Sequence, residues 1–397
     1  MKVELGAELE AFRADIRAWI GEHEQPALRG MSARSLWAGE YSPGSDVARA
    51  CTAWEAAFTA AKLICPRWPA KYGGRDLGDV EMAVLEEELS RARMPRIIRY
   101  MGEYLVGPAI IAHGSDEQKA YFLPRIIDGT DRYCQGFSEP DHGSDLASVQ
   151  TKGVVEGDEI VITGQKVWTS DAHNSNMIFI LCRTSAGGPK HGGLSFVLTP
   201  LQDNGITIRP LAQMSGVSEF CEEFIDGARA PLFNVIGGLD NGWAVAMTTL
   251  STERGGLAIS QYLPYAAEFD DLVSALRERG QLADPLVRQE LAWMYTHIQI
   301  MRYSGMRILG GMLAEGQDVP HPSVSKLFWS EYHKKFGELA LTMMGAQELV
   351  RPSGPGYPTT RWQSIFLSSR SETILSGTSE IQRRVIGDRV LGLPRDV

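Results

Sequence analysis

Apolar positions recur at helical spacing near the start of the chain. Leu5, Leu9, Phe12, Ile16, Trp19 and Ile20, with charges between them, predict an amphipathic helix. "ACTAWEAAFTAAKLI" is rich in alanine and helix-favouring, and Pro66 and Pro69 stop it. "DVEMAVLEEELSRAR" predicts another helix with Asp79 as its N-cap. "GPAIIAHGSDEQKAYFLPRIIDG" reads as one helix, then a Ser115 cap with Gln118 at the capping-box position, then a second helix. Near Gly129 the period changes. "GVVEGDEIVITGQKVWTS" is two β-rich runs around a Gly-Asp turn, and "NMIFILCRTS", "GLSFVLTPL" and "GITIRPL" continue as short strands. From "NGWAVAM" onward the pattern is helical again, with a long amphipathic stretch that opens on the proline of "DPLVRQELAWMYTHI" and another beginning "PSVSKLFW". The expected division is an α-helical domain over 1–129, an all-β barrel or sandwich over 130–236 and a helical domain over 237–397, an α+β chain overall.

Composition narrows the partners. The chain has 397 residues and a formal net charge of −10, which argues against nucleic acid and anionic membrane. The first 24 residues are interrupted by charges and do not read as a signal peptide. No apolar run approaches the roughly 20 residues needed to span a bilayer. The 5 cysteines are scattered, without CxxC spacing, and read as reduced thiols of a cytoplasmic protein. The 8 histidines form neither HxxxH nor HExxH, so no metal is expected. GxSxG, Walker and post-strand GxGxxG patterns are absent, so a nucleotide cofactor would not be held in the Rossmann way.

Three clusters carry candidate chemistry. In "YCQGFSEPDHGSD" a strand enters a loop of small residues whose amides can hold phosphate; the ordinary alternative is a β-domain turn, with His142 a loop histidine. In "GQKVWTSDAHNSN" a tryptophan at a strand end beside hydroxyls can stack on a planar ring, or simply pack in the core. In "ILSGTSEIQRRVIG" Gly377, Thr378 and Ser379 open a helix that Thr378 or Ser379 can cap, an arrangement that attracts anions and is also common on surfaces.

In combination and order these segments resemble the flavin-dependent acyl-CoA dehydrogenases. "FSEPDHGSD" matches the family's T/S-E-P-x-x-G-S-D signature, "GQKVWTS" its G-x-K-x-W motif, and "GTSEIQR" its C-terminal signature; "FCEEFIDGARAPLFNVIG" is similar to the strand that leaves its β-domain. The resemblance implies an N-terminal helical domain, a central β-barrel and a C-terminal four-helix bundle, with FAD between the last two. It implies that Gln135, Phe137, Ser138 and Ser144 line the cofactor, that Trp168 and Ser170 pack against and hydrogen-bond the flavin ring, and that Thr378 and Glu380 contact FAD near the pyrophosphate and ribose. It also implies removal of the α-proton of an acyl-CoA thioester and of a β-hydride to FAD, giving a trans-2-enoyl-CoA.

That chemistry needs a carboxylate base and donors for enolate charge. Many relatives carry the base immediately before the glycine of the C-terminal signature, where this chain has Ser376. A second subgroup, of long-chain and isovaleryl type, carries a glutamate before the arginine of the first C-terminal helix, and "LSTERGGLA" places Glu253 and Arg254 there. Glu253 is therefore expected as the base. Ser376 and Gly377 are expected at the thioester, and Arg254 and Ser144 near substrate. Glu380 is the rival carboxylate and Glu372 is expected to be structural. No Phe-Gly follows Arg277 or Arg279, so the family's pyrophosphate arginine has no clear counterpart. "ADPLVRQELA" and "DRVLGLPRD" resemble actinobacterial members, several of them acting on steroid side chains and some of them heterotetramers. Gly255 and Gly256 would leave room for a bulky acyl group. The expected partners are an acyl-CoA, an electron-transferring flavoprotein, and further copies of this chain or a related subunit. An oxygen-using flavin oxidase or monooxygenase, and a non-catalytic partner subunit, are the competing readings.

Overall fold

The computed structural model describes residues 6–186, 189–255, 260–313, 321–349 and 359–394, without the side chains of 251–255, 312, 313, 347 and 349. The chain forms two compact units. One comprises Leu5–Ala212 with Ser218–Arg254; the other comprises Gly255–Val397 with Gln213–Val217 and the first four residues.

The first unit begins with helices α1 (Ala7–His23), α2 (Ala33–Ala38), α3 (Asp46–Ala60), α4 (Asp79–Arg91), α5 (Gly107–His113) and α6 (Asp116–Ile127). α6 carries the expected box: the Ser115 hydroxyl accepts from the Gln118 amide at 3.2 Å, and the Gln118 side chain accepts from the Ser115 amide at 2.8 Å. Asp79 does not cap α4. Gly78 is the N-cap, and Asp79 lies inside the first turn, where it pairs with Arg67. A carboxylate there still favours the positive end of the helix.

Eight strands follow: β1 (Tyr133–Gly136), β2 (Lys152–Glu156), β3 (Glu159–Ser170), β4 (Met177–Arg183), β5 (Leu194–Pro200), β6 (Ile206–Leu211), β7 (Phe220–Pro231) and β8 (Val235–Ile236). Their order is β6-β7-β3-β2-β4-β5-β8, with β1 parallel to β4. β5 also packs against β7, and β1 against β3, so the sheet curls on itself and gives the expected barrel-like centre. "MIFILCR" shows why β4 is central. Phe179 and Leu181 enter the core shared with the helices, while Ile178, Ile180 and Cys182 enter a second core inside the curl. A strand buried on both faces reads as a continuous apolar run. Helix α7 (Gly242–Gly255) ends this unit. Gly242 starts it so close to β5 that a Cβ would lie 2.5 Å from the Ser195 backbone.

One buried ion pair ties the sheet together. Lys166 on β3 is fully enclosed, and its ammonium donates to the carbonyls of Phe137 and Leu181 at 2.9 and 2.8 Å and to Glu139 Oε1 at 3.0 Å. Glu139 also accepts from the amides of Gln150 and Thr151 at 2.6 and 2.8 Å. Burial by itself raises this carboxyl, but the Lys166 charge and the donors of Thr151 and Gln150 outweigh it and hold it below its ordinary range.

The second unit contains α8 (Tyr262–Glu278), α9 (Pro285–Leu313), α10 (Pro322–Met344), α11 (Arg361–Glu372) and the short α12 (Ser379–Val385). α8 to α11 share one core built on Leu272, Leu276, Met294, Ile298, Phe336 and Ile365. Gly337 lets α10 and α11 approach, since a Cβ there would lie 2.9 Å from Phe366 Cα. Within this core His333 bridges two carboxylates, Glu372 at 2.7 Å from Nδ1 and Glu268 at 3.0 Å from Nε2. Burial would drive the imidazole neutral, but the two carboxylates prevail and push it up to about 9.

Two outcomes follow from these pairs. Glu139→Gln or Lys166→Met leaves a buried charge without its counter-ion and is expected to cost about 3–5 kcal/mol of unfolding free energy; the double variant should lose less than the sum, as read by denaturant titration. For His333 the folded value lies above the unfolded 6.5. Its contribution is therefore complete below pH 6.5 and is lost as pH rises through about 9. Wild-type Tm should fall over that window, and Glu268→Gln should shrink the fall.

Candidate active site

The far end of β3 breaks the rules of a strand. Its pairing with β7 runs Lys166 to Glu223 and Val167 to Glu222, then resumes at Thr169 to Cys221. Trp168 is the extra residue of a β-bulge. The bulge resets the alternation: Thr169 turns inward like Lys166, and the Trp168 indole stands outside, 61 % exposed. Trp168 takes a φ of +64°, a conformation that costs a bulky residue of order 1–3 kcal/mol and that clusters at functional sites. Two more strained residues lie beside it. Asp171 (φ +56°) is fully buried and accepts a two-pronged pair from Arg34 of α2 at 3.1 and 2.6 Å. Tyr100 (φ +48°) packs its ring 4.9 Å from Trp37. Burial, and then the negative charge of Asp171, push its phenol up to about 12, while the Ser170 hydroxyl acts the other way.

The "FSEPDHGSD" segment is joined to this end of β3. The Val167 amide donates to the Ser138 carbonyl at 3.0 Å, and Lys166 holds Phe137 and Glu139 as described. Glu139 and His142 close a tight turn through reciprocal backbone bonds. Gln135 and Ser138 are half-buried and Ser144 is exposed. Phe137 is different: its ring is buried edge-on against Phe179 and Phe196. Phe137, Ser138, Trp168 and Ser170 are thus brought together, with Ser144 further along the loop. A flat aromatic ring system rimmed by polar atoms suits an uncovered indole flanked by a hydroxyl. The core-packing alternative for Trp168 is excluded by its exposure, and the residues fit a flavin.

In the second unit Ser376 is exposed at φ +51°, followed by Gly377 at φ +90°. The Gln382 side chain pins this turn by donating to the carbonyls of Ser376 and Gly377 at 3.0 and 3.3 Å. Thr378 is the N-cap of α12, accepting from the Ile381 amide at 3.2 Å, and Ser379 donates instead to Glu331 at 2.7 Å. Glu380 is exposed; its own amide, and then the Thr378 hydroxyl, keep its carboxyl below the ordinary range. Glu372 is held by His333. Arg279 donates to the Met344 carbonyl at 2.7 Å, and Arg277 is exposed.

Glu253 and Arg254 fall in the last turn of α7, and their side chains lie outside the described residues, as does Gly256. The helix that carries them is anchored by buried Val245, Ala246 and Thr249 and by His113, whose Nε2 is 2.8 Å from the Thr248 hydroxyl.

Reading the chain as motifs passed over Lys166, Glu139, Glu223, Arg34, Asp171 and Tyr100. Only Lys166 carried a usable signal, a lysine on the face of β3 that Ile160 and Ile162 turn inward. Among the described residues no group of three or more His, Cys, Asp or Glu is placed to hold a metal, and no helix is long and apolar enough to cross a membrane.

Known proteins similar to this chain cover its whole length. The acyl-CoA dehydrogenase N-terminal, middle and C-terminal domain models match residues 6–130, 134–226 and 240–391. Acyl-CoA dehydrogenase IpdE1 of Mycobacterium tuberculosis is 41 % identical over 396 residues, covering 98 % of this chain and 99 % of that protein. Among solved structures, the Tcur3481-Tcur3483 steroid ACAD is 28 % identical at a TM-score of 0.81, and the ChsE4-ChsE5 complex from Mycobacterium tuberculosis is 25 % identical at 0.79, each covering all of both chains. With three successive domains matched and a relative of this identity aligned from end to end, the chain belongs to the acyl-CoA dehydrogenases, a family of FAD-dependent oxidoreductases.

Proposed function

We propose that this enzyme dehydrogenates an acyl-CoA thioester between Cα and Cβ to a trans-2-enoyl-CoA, with Glu253 as the base. The observation that carries the assignment is the residue before Gly377. It is Ser376, exposed at φ +51°, and a serine cannot remove an α-proton. Glu253 then stands as the carboxylate for that work, on a helix whose earlier turns are firmly packed. A base near neutral pH requires a carboxyl pushed upward by exclusion of water. Arg254 sets the charge beside it, and Ser144 is assigned to substrate. The backbone of the pinned Ser376–Gly377 turn donates to the thioester oxygen, where enolate charge develops.

Bound FAD supplies the acceptor for the β-hydride. Trp168 packs on its ring, and Ser170 donates a hydroxyl to the ring's polar rim. Gln135, Ser138 and Ser144 line the polar remainder, Phe137 through its backbone, and Thr378 and Glu380 hold the cofactor's phosphate and ribose end. The substrate class we infer is bulky, branched or a steroid side chain, supported by relatives whose names include steroid ACAD. Similarity to structures named for two proteins supports assembly with a related subunit; a homotetramer or dimer is the alternative. An electron-transferring flavoprotein is the proposed electron acceptor.

The test is anaerobic titration of the yellow protein with a panel of acyl-CoAs, including steroid side-chain thioesters. Some thioester should bleach the wild type, and Glu253→Gln should bleach at least about a thousandfold more slowly, in line with loss of a general base. Undiminished bleaching in the variant removes Glu253 from the mechanism.

A further inference from the structure

Glu223 on β7 is a buried acid that the reaction above does not use. It lies wholly inside the curl of the sheet, with no exposed surface. Its Oε2 accepts from the Thr169 hydroxyl at 2.5 Å, while Oε1 has no hydrogen-bond partner. An ionised carboxylate with one orphaned oxygen would be an unpaired buried charge, which proteins avoid by protonation. Lys166 sits directly across the ladder from Glu223, but its three donors all go to Phe137, Leu181 and Glu139, so it cannot neutralise Glu223 by contact.

The position of Thr169 gives this acid its consequence. Trp168 is held on both sides. Before it, the Val167 amide is fixed to the Ser138 carbonyl. After it, Thr169 is turned inward by the bulge and its hydroxyl is fixed to Glu223. Without the second anchor the Thr169 side chain has no polar hold inside, its backbone pairing with Cys221 alone keeps the register, and the strand gains by slipping out of the strained φ of +64°. We propose that Glu223, acting through Thr169, is a positioning residue that locks the bulge on which Trp168 is displayed. The proposal rests on the reading of Trp168 as the residue that packs on the flavin.

The clamp is sensitive to pH. Burial, followed by the neighbouring Glu222 charge, pushes Glu223 up to about 8, with the Thr169 hydroxyl and Lys166 opposing. The other groups facing it are the Cys134 thiol from β1 and the Cys221 thiol from its own strand, both pushed up by burial. Arg209 on β6 faces Glu222 at 3.9 Å, and the residue of β6 paired with Glu223 is the apolar Ile208. Above about pH 8 Glu223 ionises; in place the charged oxygen would hold the Thr169 hydroxyl more tightly, so the clamp is released by the unpaired charge drawing the side chain out of the interior toward water.

The experiment uses the FAD-loaded protein from pH 6 to 10. Flavin fluorescence, quenched by a packed indole, should rise several-fold in the wild type as pH passes about 8. Glu223→Gln, neutral throughout, should stay quenched, and Thr169→Val should be bright already at pH 6. A Glu223→Gln profile that follows the wild type, or a Thr169→Val protein as quenched as the wild type, overturns the proposal. Trp168→Phe separates it from the reading beneath: unchanged quenching in that variant removes Trp168 from the flavin. The clamp is then judged by amide hydrogen exchange of the peptide spanning Trp168–Ser170. Exchange should quicken at least tenfold in Thr169→Val, and in the wild type relative to Glu223→Gln above pH 8; equal rates overturn the clamp. The His333 titration is common to all these proteins and cancels in each comparison.

Discussion

The Lys166–Glu139 pair is the contact on which the first unit's site depends. Lysine is taken out of water only when all its donors are met, and here two carbonyls and a carboxylate meet them. The carbonyls come from β1's exit and from β4, and the carboxylate from the loop after β1. One ammonium therefore fixes two segments, the loop after β1 and β4, against β3. Because Trp168 lies two residues beyond Lys166, and Ser138 lies between the two acceptors at 137 and 139, the placement of Trp168 and Ser138 is inherited from this pair. Its value lies in specificity of placement rather than in net stability, since isolated buried pairs roughly break even against apolar packing.

Much of the architecture was legible because it is written in periods. The helical repeat within residues 7–127, the Ser115–Gln118 box, the Gly157–Asp158 turn between β2 and β3, and the Pro285 start of α9 all depend on local pattern, and the structure has each of them. Asp79 was misread because N-cap preference is shared with first-turn preference: an acidic residue satisfies the helix end from either position, and only backbone dihedrals separate them. The bulge at Trp168 was not legible at all. Strict alternation through "GQKVWTS" puts Trp168 on the side of Lys166, inside, and only the one-residue register shift puts it outside. The strand period pointed to the wrong face. Glu223 was invisible for the same reason, since "CEEF" gives no sign of which glutamate faces in.

The C-terminal segment shows a different limit. Gly377 could be anticipated, because a φ of +90° is open to glycine and strained for other residues. Ser376, beside it at +51°, could not. Two successive left-handed residues make the chain reverse before α12, and the Gln382 side chain closes the reversal by bonding both carbonyls. Gln382 therefore does for the backbone what Thr378 does for the helix: it satisfies groups that the turn leaves without intrahelical partners. The turn is thus rigid without any carboxylate in it, which is compatible with a base housed elsewhere in the chain.

Strain offers a last point of contact between fold and chemistry. Tyr100, Trp168 and Asp171 all take left-handed conformations at one end of β3, and each is held there by a specific partner: Trp37 for Tyr100, the flanking Val167 and Thr169 anchors for Trp168, and the Arg34 fork for Asp171. Trp37 and Arg34 both belong to α2, so one short helix restrains Tyr100 and Asp171, while the Ser138 and Glu223 bonds flank Trp168. The restraints come from the helical region, from the motif loop and from inside the sheet. On the proposed reading, a flat ring set against Trp168 would meet a surface held by the helical region, the motif loop and the inside of the sheet, and the strain is the cost of keeping that surface uncovered and still.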